Sequence, residues 1–323
     1  MQTYHSIAVH IVTHNNQETI GACLLSLEKQ SHRDYTICLI DNNSQDKTVV
    51  IAKKYKVDIV KPNTVNVGYA AGHNQAMRMT KSNYVLTLNP DVVLNDNFLK
   101  NMKQAFDRAD DFIGSASGLL LRINTICEKS DIVDSAGLYM QKNRRQGLRY
   151  EGTSLHFLPK GTEQIFGPDG AAAFYRRRML EDIKIGDQYF DNDFFMHKED
   201  VDVCWRAQLR GWKSLFIPSA VCYHIRSFRP GKRQNMQPFL KMCAVRNRYY
   251  LLIKNEKMSH ILHNFFPIIL YDLGIFFYLL LFEWSSLGAY RGVVKNLKTM
   301  MEKRKFIQSR AIASQQDIAQ WFI

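Results

Sequence analysis

Ile7-Ala8-Val9-His10-Ile11-Val12-Thr13 and, further on, Tyr35-Thr36-Ile37-Cys38-Leu39-Ile40-Asp41 decide the fold. Each is a short run of β-branched and aliphatic residues with a polar residue at its carboxyl end, the pattern of a strand buried on both faces in a parallel sheet. A helix is expected between them, running to about Glu28. The turn Asp41-Asn42-Asn43-Ser44 opens a helix around Asp46 to Tyr55, and a short strand follows near Val57 to Val60. A further helix is expected near Ala70 to Thr80, and Tyr84-Val85-Leu86-Thr87-Leu88 forms a fourth strand ending at Asn89-Pro90-Asp91. Strands alternating with helices predict βαβ units: an α/β fold with a mixed, mostly parallel sheet flanked by helices. The carboxyl ends of such strands open on the ligand crevice, which points to Asp41 and Asp91.

Beyond Leu121 the pattern loosens into shorter strands and loops, with Gly167-Pro168-Asp169-Gly170 leading into Ala171-Ala172-Ala173-Phe174. A helix starts at Glu199: Glu199, Asp200 and Asp202 suit its positive end, Arg206 and Arg210 its negative end, and Gly211 closes it. Trp212 to Ile217 and Ala220 to Tyr223 read as two strands, with His224 at the end of the second. The chain divides into a first region over 1–235, with halves 1–125 and 126–235, and a helical region over 236–323.

The 323 residues, 46% hydrophobic and 23% charged, have the composition of a globular chain with a sizeable core. Six cysteines (Cys23, Cys38, Cys127, Cys204, Cys222, Cys243) are scattered mostly through apolar stretches, which excludes zinc ribbons and a disulfide framework. Met1-Gln2-Thr3-Tyr4-His5 has no basic segment followed by a long apolar one, so a cytoplasmic protein is expected. The net charge of +13 is uneven. From residue 226 onward 16 Lys/Arg face five Asp/Glu, whereas the first 225 residues hold 27 against 25. Within the basic region, Phe265 to Phe282 is almost wholly apolar, at the lower edge of membrane-spanning length. Pro267, Asp272 and Gly274 weaken a simple spanning helix and favour a segment lying at a membrane interface. A re-entrant or spanning hairpin and a helix pair buried in the protein remain the alternatives.

Several short motifs carry chemistry, each with a plainer reading beside it. Asp41 at a strand end can accept hydrogen bonds from a nucleoside, or can simply close a turn. Asn66-Val67-Gly68-Tyr69-Ala70-Ala71-Gly72-His73-Asn74 is a glycine-bearing helix start open to a phosphate or sugar, or a close packing contact. Asp91 can hold Mg²⁺ or Mn²⁺ while diphosphate oxygens and waters complete the octahedron, or can end a strand in a Pro-Asp turn. An ionised acid in the Glu199-Asp200-Val201-Asp202 cluster can take a proton from a sugar hydroxyl, or can merely complement the helix dipole. His224 can ligate a metal beside Asp91, or be structural.

Taken in order, these motifs resemble the inverting nucleotide-sugar glycosyltransferases of family 2 with the GT-A fold, rhamnosyltransferase-like branch, over roughly residues 5 to 250. The match runs through Val12-Thr13-His14-Asn15, Asp41-Asn42-Asn43-Ser44, Asn66 to Asn74, Leu88-Asn89-Pro90-Asp91, Asp169-Gly170-Ala171-Ala172, Glu199 to Asp202 with Trp205-Arg206 and Arg210-Gly211-Trp212, and Tyr223-His224. The resemblance implies a nucleotide-binding half (1–125), an acceptor half (126–235) and a membrane-associating C-terminal extension. Thr13, Asp41, Asn66, Gly68, Asn74, Asn89, Arg210 and Trp212 would serve the donor, and Asp169, Gly170 and Glu199 the acceptor side. Asp91 and His224 would hold the divalent cation, and Asp200 would be the general base. The family's usual two-aspartate metal motif has Asn89 in its first place, a form often seen in the rhamnosyltransferase-like branch.

The implied reaction moves a hexose, first of all rhamnose from dTDP-rhamnose, to an undecaprenyl-diphosphate-linked saccharide in bacterial surface polysaccharide and O antigen synthesis. It would take place at the cytoplasmic face of the inner membrane, with the C-terminal region also able to form a homodimer. Three rivals fit less well. A nucleotidyltransferase needs a lysine-bearing loop after the first strand, which Thr13-His14-Asn15-Asn16-Gln17 does not supply. A nucleic-acid binder would interleave its basic residues with exposed aromatics in a recognisable module, whereas here they flank an apolar run, so no nucleic-acid partner is expected. A non-catalytic scaffold at the membrane is the third.

Overall fold

A computed structural model of the chain describes residues 5–123, 129–225 and 233–323. Met1 to Tyr4, Cys127, and Arg226, Arg229 and Lys232 of the basic count lie outside the described residues. The elements run β1 (His5–Thr13), α1 (Ile20–Glu28), β2 (Tyr35–Asp41), α2 (Thr48–Ala52), β3 (Ile59–Pro62), α3 (Tyr69–Met79), β4 (Ser82–Leu88), β5 (Val92–Leu94) and α4 (Phe98–Arg108). Next come β6 (Ile113–Ile123), β7 (Lys129–Ser135), β8 (Leu138–Met140), β9 (Gln146–Leu148), β10 (Glu163–Ile165), β11 (Ala172–Arg176), α5 (Arg177–Ile183), α6 (Glu199–Leu209) and β12 (Lys213–His224). The chain ends in helices: α7 (Pro238–Asn255), α8 (Met258–His263), α9 (Phe265–Phe282), α10 (Gly288–Lys295), α11 (Leu297–Ser309) and α12 (Gln315–Ala319).

Among the described residues, ten strands make one sheet in the order β10-β12-β6-β11-β4-β1-β2-β3, with β5 on β12 and β7 on β6. β1 pairs parallel with β2 and β4, β2 with β3, and β6 with β12, whereas β11 is antiparallel to both its neighbours. Ile7 to Thr13 are all buried, as expected of a strand covered on both faces. One covering layer shows why: α1 buries Ile20, Cys23, Leu24 and Leu27 on one stripe, and α4 buries Phe98, Leu99, Met102 and Phe106. Each such fully buried side chain is worth about 1.5–3 kcal/mol.

Three expected boundaries move. The helix expected over 46–55 is regular only at Thr48–Ala52, because Asp46 and Asn15 hold the preceding turn through Thr48 and Gln45. The third strand is Ile59–Pro62, set by its register with Cys38 to Asp41. The two strands expected after Gly211 are one, β12, with a register shift between Ile217 and Val221.

The basic C-terminal region is helical, as expected, and packs on the first region. Trp205 of α6, Tyr250 and Leu251 of α7, Met300 and Ile307 of α11, and Phe322 share one core. Many of its cations turn inward: Lys254 to Asp191 and Asp202, Lys303 to Asp191 and Asp193, Arg248 to Asp272, Arg233 to Glu283, and Arg310 to Asp182. The apolar segment behaves otherwise. α9 turns Ile268 and Leu279 inward and leaves Phe266, Leu270, Leu281 and Phe282 exposed, so burial inside this chain is not its placement. By length and composition its 18 residues suffice to cross a membrane.

Candidate active site

β1, β2, β4, β6 and β12 all run in one direction, so Thr13, Asp41, Asn89 and His224 arrive at the same edge of the sheet. β11 runs the other way and starts at that edge, which adds Asp169 and Gly170 just before it. Two hydrogen bonds then tie the strand ends to α6. The Asn89 N–H donates to the Ala171 carbonyl at 2.8 Å, and the Gly170 N–H donates to Asp200 Oδ2 at 3.0 Å. Asn89, two residues before Asp91, and Asp200 thus both reach the 169–171 segment.

Asp91 and His224 meet through the β5–β12 ladder, where His224 stands opposite Val92 and the Ile225 N–H donates to the Asp91 carbonyl at 3.0 Å. His224 Nε2 is 3.4 Å from Asp91 Oδ1, and its Nδ1 is 2.8 Å from Asp134 Oδ2. A carboxylate only accepts, so Nδ1 carries a proton towards Asp134, and Nε2 is the ring nitrogen that faces Asp91. Asp91 Oδ1 and Asn89 Oδ1 are buried without a hydrogen-bond partner. Orphaned oxygens beside an oriented imidazole fit Mg²⁺ or Mn²⁺, hard cations that keep places for phosphate and water. Among the described residues no group of three His, Cys, Asp or Glu suits a metal, so a cation here draws its remaining ligands from the substrate and water. The sequence reading missed Asp134. Its signal was a carboxylate inside the strand Lys129–Ser135, a place where an acid has to be paired.

Asp200 accepts from the N–H groups of Gly170 and Val201. Burial first, and then the Asp169 carboxylate, push it up to about 6 against those two bonds. Glu199 was expected to face the acceptor, but it is buried, with Oε2 unpartnered. Burial and the Asp200 charge hold it well above the usual carboxylate range. The two neighbouring acids are thus set apart: burial and the Asp200 charge bias Glu199 towards its protonated form, which leaves Asp200 the better placed of the two to act as a base. Lys198 is pushed down to about 7 by burial and then by Arg248. The backbone leading into α6 is strained: Phe195, His197 and Lys198 have φ of 61°, 69° and 70°. Such residues cost on the order of 1–3 kcal/mol each.

On the donor side, Thr13 is buried and donates to Asn16 Oδ1, and Asp41 accepts from both the N–H and the hydroxyl of Ser44. The Asp41 carboxylate therefore closes its turn at the crevice edge. Exposed Asn66 accepts from the Gly68 N–H at 2.9 Å, and Gly68 takes φ +86°. A Cβ there would lie 2.6 Å from the Phe195 carbonyl and ring, so only glycine fits between α3 and the strained segment. Asn42, another residue the sequence reading passed over, donates to the Gly68 carbonyl and locks β2 to α3.

Three expected donor residues do not belong to the site. Asn74 is buried, and its side chain is fully engaged with the Tyr189 and Phe190 N–H groups, the Phe190 carbonyl and Asn192 Oδ1. It joins α3 to the 189–192 segment. Arg210 and Trp212 sit past the far end of α6, about 15 Å along its axis from Asp200 at 1.5 Å per residue. There Arg210 forms a bidentate pair with Asp182 at 2.9 and 3.1 Å, and Trp212 Nε1 donates to Asp182 Oδ2 at 2.9 Å. Their place in the motif order reflects anchoring of α6, not contact with substrate.

Residues 8–184 match the family model described as Glycosyl transferase family 2, and residues 148–301 match Glycosyl transferase family group 2. A poly-beta-1,6-N-acetyl-D-glucosamine synthase of Staphylococcus epidermidis is 24% identical over 237 residues, covering 69% of this chain and 50% of that protein. The chain thus spans about half the length of this relative. Among solved structures, S. aureus TarS 1-349 superposes with a TM-score of 0.54 at 15% identity, over 94% of this chain and 90% of that one. The mannosyltransferase PcManGT of Pyrobaculum calidifontis, solved with GDP-Man and Mn²⁺, gives 0.52 at 13% identity over 95% and 86%. The shared architecture is the GT-A fold.

Proposed function

Because the chain belongs to glycosyl transferase family 2, we propose that it transfers a hexose, with inversion, from a nucleoside-diphosphate sugar to a hydroxyl of a lipid-linked saccharide. The observation that carries this reading is the pairing, across residues 169–171, of an ionised Asp200 with the Asp91–His224 set. Asp200 takes the proton of the acceptor hydroxyl as the new C–O bond forms at the anomeric carbon and the bond to the diphosphate breaks, releasing the nucleoside diphosphate. Burial and the neighbouring Asp200 charge hold Glu199 towards its neutral form, so it is not the base. Asp91 and His224 Nε2 would hold a divalent cation, which supplies Lewis-acid stabilisation of the leaving diphosphate. General-base assistance of this kind is worth about 10² to 10⁴ in rate.

The proposed donor is dTDP-rhamnose, on the resemblance of Asn89-Pro90-Asp91 to the rhamnosyltransferase-like branch. The proposed setting is surface polysaccharide assembly, including O antigen, at the cytoplasmic face of the inner membrane. α9 supports a membrane seat through its exposed apolar surface, and exposed Arg291, Lys295 and Lys298 follow it. Each basic residue near an anionic leaflet adds about 1 kcal/mol.

Release of nucleoside diphosphate from a panel of dTDP-rhamnose, UDP-N-acetylglucosamine and GDP-mannose, with Mn²⁺ and with chelator, tests the activity. One donor should stand out and require the cation. No release from any donor would refute the transferase reading. Flotation with vesicles containing anionic lipid tests the seat: floating protein supports it, and soluble dimers that ignore vesicles would assign the α9 face to a second copy of this chain.

A further inference from the structure

The strained segment before α6 has an owner outside the catalytic sheet. The carbonyls of Phe194, Met196 and His197 all turn towards α7 and accept from one amide, Asn247 Nδ2, at 2.8, 2.9 and 2.8 Å. Asn247 is completely buried. The orientation of its amide is forced: Arg246 Nε and Nη2, donors only, lie 3.1 Å from Oδ1, and the three carbonyls, acceptors only, face the nitrogen. Arg246 Nη2 also donates to the Asp193 and Phe194 carbonyls. From the opposite side the Phe195 carbonyl accepts from the N–H groups of Tyr69 and Ala70 at 2.7 and 3.2 Å. Residues 193–197 are thus gripped between the first turn of α3 and the middle of α7.

We infer that Asn247, with Arg246 holding its amide, is a positioning residue that sets the place of Asp200 from the C-terminal helices. Left-handed non-glycine residues persist only where their surroundings over-determine them, and here the surroundings include this amide, the Arg246 guanidinium and the α3 turn. Released from Asn247, the segment relaxes, and Asp200 moves off the Gly170 N–H that holds its carboxylate. Asn247 touches no reactant. The residues at the donor edge (Thr13, Asp41, Asp91 and His224) stand on other elements and keep their places. The inference rests on Asp200 being the base in the proposed reaction.

Asn247→Leu keeps the volume and removes every donor. Arg246→Met leaves the amide but frees its orientation and removes the Nη2 bonds to the Asp193 and Phe194 carbonyls, at a half-buried position, and Arg246→Lys restores a donor. With the donor selected by the panel, Asn247→Leu should lower kcat by about 10- to 100-fold, the scale of an ångström-sized misplacement. The donor KM should change little, and the acid limb of the pH–rate profile should move away from pH 6. Arg246→Met should fall between Asn247→Leu and wild type, with Arg246→Lys nearer wild type. Hydrogen exchange should quicken at 194–200 and stay unchanged along β1 and β4. A folded Asn247→Leu or Arg246→Met enzyme with wild-type kcat and an unmoved acid limb would overturn the inference. If Asn247→Leu does not fold, the Arg246 pair decides it alone. Unaltered exchange at 194–200 would also sink it, whatever the turnover, whereas a wild type inactive on every donor refutes the proposed function and leaves the exchange result to judge the grip.

Discussion

Replacing Asp134 by Asn removes the charge behind His224 while keeping the shape of the side chain. Asp134 is completely buried, 2.8 Å from His224 Nδ1 and 3.5 Å from Arg122 Nε. The new amide has two orientations. With its oxygen on Nδ1–H the ring keeps its tautomer but loses a charged partner; with its NH₂ on Nδ1 the proton moves to Nε2, and that nitrogen no longer binds a metal. Losing an outer carboxylate of this kind typically costs 10- to 100-fold in metal affinity, or about 1.4–2.7 kcal/mol. Arg122 retains Glu151 at 3.2 Å, so the loss of folding stability should stay within about 1–3 kcal/mol. The assay is nucleoside diphosphate release against Mn²⁺ concentration at saturating donor. The half-saturating Mn²⁺ should rise by about 10- to 100-fold while turnover at saturating Mn²⁺ largely recovers. A folded variant whose half-saturation stays within about two-fold of wild type would show that Asp134 does not prepare the ring, and that the Asp91–His224 reading is wrong.

Asp200→Asn should lose about 10² to 10⁴ in turnover with donor affinity retained. Its melting temperature at pH 7.5 should exceed that of wild type, because a carboxyl raised from 3.8 to about 6 opposes folding once ionised. That advantage should vanish below about pH 4, where Asp200 is protonated in both the folded and unfolded states; a constant difference across pH would contradict the assigned shift. The wild-type rate should fall on the acid side with an apparent pKa near 6. Gly68→Ala should destabilise by about 2–4 kcal/mol, from the φ of +86° and the 2.6 Å approach to Phe195, measured as a lowered urea midpoint. Lys254→Met leaves Asp191 and Asp202 short of a buried cation and should cost about 3–5 kcal/mol, so an unchanged midpoint would mean that Arg206 and Lys303 suffice.

The strand ends were legible because a parallel sheet buried on both faces writes itself as short apolar runs, and each run stops where a polar residue reaches the crevice. Asp41 and Asp91 follow from that rule together with the direction of the strands. Side-chain direction was not legible. Asn74 lies in the same glycine-bearing motif as Gly68, but one more helical turn aims it at the 189–192 backbone. Arg210 follows Asp200 in the chain, yet the helix between them carries it to the far end of α6, about 15 Å away along the axis. Asp134 was missed because it meets His224 from 90 positions away, a long-range partner that no local spacing announces. The uneven charge was legible but its pairing was not: Lys254 and Lys303 reach Asp191, an acid of the first region more than 60 positions away.

Trp284 stands just beyond the last turn of α9, 71% exposed. The other three indoles are otherwise occupied: Trp205 is buried, and Trp212 and Trp321 hold hydrogen bonds to Asp182 and Gln208. The chain thus carries its own optical gauge, its one largely exposed indole, at the edge of its most apolar helix. Docking onto a bilayer would shift the emission of that residue to the blue, and brominated acyl chains would quench it before the remaining tryptophans.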